Sequence, residues 1–282
     1  MHIAILGQPR TGTTALYTRL CAALPAARAL FEPSCYVPEP TDCSRDLVVK
    51  MLIGALPGQE PAQWSSCLAC THLVLVVRDP RDTLLSALLF FPLWIARQRP
   101  EQNLAWVVQW LKHKEHQGRS VSLWPYFVEM LRQYGGMDAD EASAWYCGQL
   151  EAFLKVCEML SGMHTPCVVR YEDMMESRGS FAQLEARIGC LLPAVPLPQA
   201  YRSILRRGTV GEWRQWFTQE DVEYFRPLMQ PYLRYHNYAD EWTLASSPRI
   251  NAATSLQYVQ TWLRVIHRER LSRFRPTMKE QR

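Results

Sequence analysis

Short apolar runs alternate with helical stretches through the first ninety residues, and this alternation restricts the fold more than any other feature. Ile3 to Leu6 is an apolar run of strand length. Thr13 to Leu24 places Leu16, Leu20 and Leu24 four residues apart, a helical stripe closed by Pro25. Ala29-Leu30-Phe31 and Leu47-Val48-Val49 are further short runs, and His72 to Val77 is the strongest. Runs without polar alternation suit strands that are covered on both faces, as in sheets with helical crossovers. The expectation is an α/β fold, a three-layer sandwich around a central, mostly parallel sheet. Residues 80–160 read as mainly helical, and Cys167 to Tyr171 returns to strand.

The chain has 282 residues, 48% of them hydrophobic and 21% charged, enough for one large domain or a domain with an appendage. A net charge of +4 is too small to argue for nucleic acid. The charge is unevenly placed. Residues 243–282 hold eight Lys and Arg against two acids, while residues 1–242 hold 23 against 25. The expected organisation is a main domain over 1–242, with a helical acceptor-side region at about 91–160, and a basic helical extension over 243–282. Nine cysteines do not make a disulfide framework. Cys67-Leu68-Ala69-Cys70 lacks a second Cys/His pair at zinc-finger spacing and precedes a strand, so its thiols are expected to be buried and inert. The N-terminus reads as a strand rather than a leader, and no run reaches bilayer-spanning length, so a soluble cytoplasmic protein is expected.

Between the first strand and the first helix lies Gly7-Gln8-Pro9-Arg10-Thr11-Gly12-Thr13-Thr14. Glycines at that junction let the backbone curl until amide N–H groups and the helix N-terminus face an anion. A nucleoside-triphosphate loop carries Lys directly after its second glycine. Here Thr13 stands there, and the loop's cation is Arg10. The pattern is a phosphate cradle without the triphosphate clamp; the alternative is a tight glycine turn with no ligand.

The loop resembles the 5′-phosphosulfate-binding loop of the sulfotransferase family, whose members carry Lys or Arg at the position of Arg10. Arg78-Asp79-Pro80-Arg81-Asp82-Thr83-Leu84-Leu85-Ser86 follows the strongest strand, with Asp79 suited to an N-cap and Pro80 to the first helical position. It resembles the family's 3′-phosphate loop, in which an Arg and a Ser eight apart bind that phosphate, as Arg78 and Ser86 would. Leu205-Arg206-Arg207-Gly208 is similar to the family's C-terminal Arg-Lys-Gly segment, with Arg207 in place of Lys. Arg170-Tyr171-Glu172-Asp173 is similar to its Tyr-Glu-Asp signature. The matching pieces run in family order from residue 3 to about residue 218.

The resemblance implies a P-loop-like enzyme using 3′-phosphoadenosine 5′-phosphosulfate as co-substrate, without a metal. It implies that Arg10, Thr11, Gly12, Thr13 and Thr14 bind the 5′-phosphate side. It assigns Arg78, Ser86, Arg206, Arg207 and Gly208 to the 3′-phosphate and Tyr171 to the adenine. Cytosolic small-molecule members place a His base two residues after a Lys on a middle strand. Here Lys50 is kept and Leu52 stands where the His would be. Carbohydrate-type and several bacterial members instead use a Glu after the second strand, and Phe31-Glu32-Pro33 resembles that segment. Glu32 is therefore the expected general base, with Arg10 and Lys50 beside it in catalysis. His72 is the alternative by sequence, and it reads as a strand-edge residue.

Two other readings compete. Thr13 argues against a nucleotide kinase, and a non-catalytic nucleotide-binding module would need neither Glu32 nor Lys50. The acceptor is expected to be a small molecule, a sugar or a lipid, its pocket shaped by the Trp-rich residues 91–160 and the tail. In the tail, Leu256, Val259, Leu263 and Ile266 make one helical face, spaced by three, four and three residues. The surrounding arginines are then either a solvated face or a patch that meets an acidic surface.

Overall fold

The computed structural model describes residues 1–33, 45–54, 66–99, 101–198, 206 and 208–273. Five strands, β1 (His2–Gly7), β2 (Arg28–Phe31), β3 (Leu47–Leu52), β4 (His72–Val77) and β5 (Cys167–Arg170), form one sheet in the order β2-β3-β1-β4-β5. Every pairing is parallel, so the sheet is all-parallel among the described residues rather than mostly so. Parallel strands need crossovers, and helices flank the sheet. The first crossover begins with α1 (Thr13–Ala23), which closes one residue earlier than its leucine stripe suggested. β1, β3 and β4 are buried along nearly their whole length, which explains their unbroken apolar sequences.

The chain divides into two compact units. The first comprises Met1–Thr83, Trp145–Arg202 and Met229–Asp240, and holds the sheet. Its core joins Ile3, Ile5, Val74, Val76 and Val169 of the strands to Leu16 and Leu20 of α1 and to Phe181, Leu184 and Ile188. The last three lie on α7 (Ser180–Ile188), which follows the short helix α6 (Tyr171–Glu176). Tyr171 thus opens a helix, where the sequence suggested the end of a strand. Cys67 and Cys70 are buried, and burial pushes the Cys67 thiol up to about 12, which leaves it a protonated packing group.

The helices between β4 and β5 are α2 (Pro80–Gln98), α3 (Ala105–His116), α4 (Leu123–Gly135) and α5 (Ala139–Met163). After α7 come α8 (Trp213–Trp216), α9 (Gln219–Tyr235) and α10 (Leu256–Arg273). The second unit comprises Leu84–Ala144, Ser203–Leu228 and Glu241–Arg282. One carboxylate organises much of it. Asp221, fully buried, accepts from the Ser122 hydroxyl at 2.6 Å and from the Leu123 and Trp124 N–H groups at 2.7 and 2.9 Å, capping α4. Its other oxygen accepts from the Thr218 N–H at 2.8 Å, at the start of α9. Helix α10 packs on α3, with Val259 and Ile266 buried and Arg264, His267 and Arg268 exposed. No described helix is long and apolar enough to cross a membrane.

His236, just past α9, is 7% exposed and packed among Tyr232, Tyr235 and Phe153. Burial, then repulsion from Arg170, lowers its pKa to about 4. The unfolded chain therefore binds a proton between about pH 6.5 and 4 that the folded chain refuses. Stability is full above pH 6.5 and falls by about 3 kcal/mol as pH drops through that window. Denaturant unfolding of wild type and His236→Phe at pH 7.5 and 4.5 checks this, and the variant should lose less on acidification. Equal losses would contradict a neutral buried imidazole.

Candidate active site

In a doubly wound parallel sheet, ligands sit beyond the carboxyl ends of the strands where successive crossovers part to opposite sides. Here the chain leaves β1 toward β2 and leaves β4 toward β5, so the parting lies between the neighbours β1 and β4. The loops after these two strands carry Arg10 and Arg78.

The β1–α1 loop is held from inside. The Thr11 hydroxyl donates to the Gln8 carbonyl at 2.7 Å, and the Gly7 carbonyl accepts from the Ile53 N–H at 2.9 Å. Gly7 has no room for a side chain, since a Cβ would lie 2.7 Å from the Val76 carbonyl oxygen. Gly12 caps α1 with φ +94°, and a Cβ there would strike the Tyr171 ring at 2.4 Å. Thr11 and Thr13 are buried beneath the loop and Thr14 is half-buried. The first N–H groups of a helix have no partners within it.

Arg10 and Glu32 have left-handed backbones, with φ of 70° and 46°. Such a conformation costs about 1–3 kcal/mol in a residue with a side chain and persists where the surroundings impose it. Of the four described non-glycine residues in this state, two are charged residues in the loops that follow β1 and β2. Glu32 is placed by the β2–β3 register, with Phe31 opposite Lys50 and the Glu32 N–H donating to the Lys50 carbonyl at 2.9 Å. Its carboxylate forms an ion pair with the Lys50 ammonium. Lys50 is 1% exposed, with Nζ 4.3 Å from the Phe31 ring centroid. Burial lowers the Lys50 pKa, and Glu32 opposes that shift. His72, the alternative base, opens β4 opposite Ile3, at the other end of the strand from Arg78.

Arg78 is 5% exposed and bridges two pieces of this site. Its Nη1 donates to the Arg10 carbonyl at 3.1 Å, and its guanidinium lies 4.3 Å from the Tyr171 ring centroid. Its Nε is buried without a hydrogen-bond partner. Tyr171 is thus held between Gly12 and Arg78. Glu172 locks the same corner, accepting from the Asp79 N–H at 3.0 Å and the Tyr238 hydroxyl at 2.8 Å. Asp79 caps α2 through the Arg81 N–H at 2.9 Å and pairs with the Arg81 guanidinium at 2.7 Å.

The remaining expected residues lie in the second unit. Ser86 is buried on α2, two turns from its start. Arg206 is buried, with Nη2 2.7 Å from Glu212 and Nη1 donating to the Thr254 carbonyl at 3.2 Å. Gly208 lies against that ion pair, and a Cβ there would meet Glu212 at 2.3 Å. Arg207 lies outside the described residues, as do Arg275, Lys279 and Arg282 of the tail.

No protein-family model and no curated protein matches the chain. Among solved structures it is similar to the mouse sulfotransferase SULT7A1 complexed with PAP, at 17% identity and a TM-score of 0.34, over 83% of this chain and 84% of that one.

Proposed function

We propose that this chain is a cytoplasmic sulfotransferase that moves a sulfuryl group from 3′-phosphoadenosine 5′-phosphosulfate to an acceptor hydroxyl or amine. The observation that carries this reading is the joined pair of arginines at the β1/β4 parting, Arg78 bonded to the main chain of a left-handed Arg10, above a loop with Thr13 where a triphosphate site needs Lys. Two anionic groups on one nucleotide suit two such cations. The buried, unpartnered Nε of Arg78 supports a site that an anion completes.

In this reading Arg10 faces the bridging oxygen and the leaving 5′-phosphate, and Thr11 to Thr14 bind that phosphate through N–H and hydroxyl groups. Arg78 takes the 3′-phosphate. The family resemblance, and no contact among the described residues, gives Ser86, Arg206, Arg207 and Gly208 a 3′-phosphate role and Tyr171 an adenine role. The acceptor oxygen attacks sulfur, the bond from sulfur to the bridging oxygen breaks, and adenosine 3′,5′-bisphosphate leaves. The acceptor proton passes to the Glu32 carboxylate, which Lys50 holds in place. Helix α10 packs one face on α3, and its exposed basic face, with Arg264 and Arg268, is left to solvent or to an acidic surface.

Incubation with sulfur-labelled donor and a cell extract tests the activity. The expected result is label in an acceptor, with one adenosine 3′,5′-bisphosphate released per transfer. Absence of both transfer and bisphosphate binding would overturn the reading.

A further inference from the structure

Among the described residues, the buried side-chain oxygens without a hydrogen bond are Gln149 Oε1, Glu212 Oε2 and the Tyr232 hydroxyl. Glu212 Oε2 has Arg206 at 2.7 Å, and the Tyr232 hydroxyl is near the Arg78 main chain. Gln149 Oε1 has neither an ion pair nor a donor, and its position matters. The Gln149 main-chain carbonyl accepts from Gln8 Nε2 at 3.3 Å, in the phosphate loop. Gln149 Oε1 faces Gly54, where an added Cβ would lie 3.1 Å from it. Gly54 has φ +71° and follows Ile53, whose N–H donates to Gly7. Gln149 therefore lies over the loops that leave β1 and β3, beside the strand that carries Lys50.

Trp145 stands one turn earlier on α5, on the same helix face as Gln149. Its indole Nε1 is also buried without a partner. Other indoles share that condition, so Trp145 alone would carry nothing. Together the two residues present an orphaned donor and an orphaned acceptor, their Cβ atoms about 5–6 Å apart. A buried donor or acceptor left unpaired is costly, and a ligand that pairs with both is correspondingly favoured.

We infer that Gln149 and Trp145 form the acceptor-orienting subsite, and that the acceptor is a polyhydroxyl or amino-alcohol compound rather than a lone alcohol or phenol. This rests on the sulfotransferase reading. The reacting hydroxyl gives its proton to Glu32 and is consumed by the transfer. A neighbouring hydroxyl or amine then donates to Gln149 Oε1, and a further oxygen accepts from Trp145 Nε1. A compound with one hydroxyl leaves both protein groups unpaired.

The test uses the full chain with 3′-phosphoadenosine 5′-phosphosulfate and two acceptors sharing an alkyl chain, octyl glucoside and octanol. Wild type should prefer the glucoside by about 100-fold in kcat/KM, and Gln149→Leu and Trp145→Phe should each remove about 10-fold of that preference. Both variants should bind adenosine 3′,5′-bisphosphate within about 2-fold of wild type, which also reports that they fold. Equal use of the two acceptors, preference for octanol, or variants that keep the full preference would overturn the inference. So would failure to use either acceptor by a wild type that binds the bisphosphate. A wild type that does not bind the bisphosphate removes the sulfotransferase reading instead, and this subsite with it.

Discussion

Glu32→Gln should lose about 10²–10⁴-fold in kcat while affinity for adenosine 3′,5′-bisphosphate changes little. The amide keeps the size of the side chain and its place after β2 but cannot take the acceptor's proton. The change has a second consequence. Lys50 is 1% exposed and its ammonium is paired with Glu32, so Gln leaves a buried cation without its counter-charge. The melting temperature should fall, and turnover must be compared below both midpoints. Lys50→Met separates the two effects by removing the cation while leaving the carboxylate. Near-normal turnover in Glu32→Gln would move proton removal to Lys50, since His72 lies at the far end of β4 from Arg78.

Arg78→Ala should weaken binding of adenosine 3′,5′-bisphosphate by about 10–150-fold, the loss of one buried charge-assisted contact. It should also erase most of the preference for the 3′-phosphorylated donor over adenosine 5′-phosphosulfate. Arg78 also bonds the Arg10 carbonyl, so its removal loosens the loop assigned to the 5′-phosphate. Arg78→Lys divides these roles. It keeps the charge and loses the guanidinium over the Tyr171 ring and the fork that reaches Arg10. Calorimetric titration of both variants with the bisphosphate and with 5′-AMP reads the difference. If Arg78→Ala keeps its preference for the 3′-phosphorylated ligand, Arg78 does not meet that phosphate.

The frame of the sheet was readable from the residues because buried parallel strands leave unbroken apolar runs and their helices leave four-residue spacing. Asp79 and Pro80 announced the start of α2 through capping chemistry, and both stand where that chemistry puts them. What the sequence did not carry was pairing at a distance. Nothing in Glu32 or Lys50 alone says that Phe31 pairs with Lys50 in register, yet that register brings carboxylate and ammonium together. The left-handed backbones of Arg10 and Glu32 carry no glycine to announce them, because loop contacts rather than residue type impose the conformation. The family resemblance assigns Arg206 to the 3′-phosphate, and Arg-Arg-Gly alone does not show the partners that the folded chain gives its guanidinium. Its Glu212 partner is six residues on, and Thr254 is farther still. Gln149 and Trp145 belong to no motif, and only their unpaired atoms in the folded chain mark them. In the tail, the apolar spacing foretold a packed face, and Val259 and Ile266 are buried there.

Titration of the wild-type protein with adenosine 3′,5′-bisphosphate, 5′-AMP and ATP, without added acceptor, tests the central claim most directly. The cradle of Arg10 and Arg78 predicts that the bisphosphate binds at least about 10-fold more tightly than either of the others, the worth of one charge-assisted contact. Tighter binding of ATP, or equal binding of the bisphosphate and 5′-AMP, would contradict it.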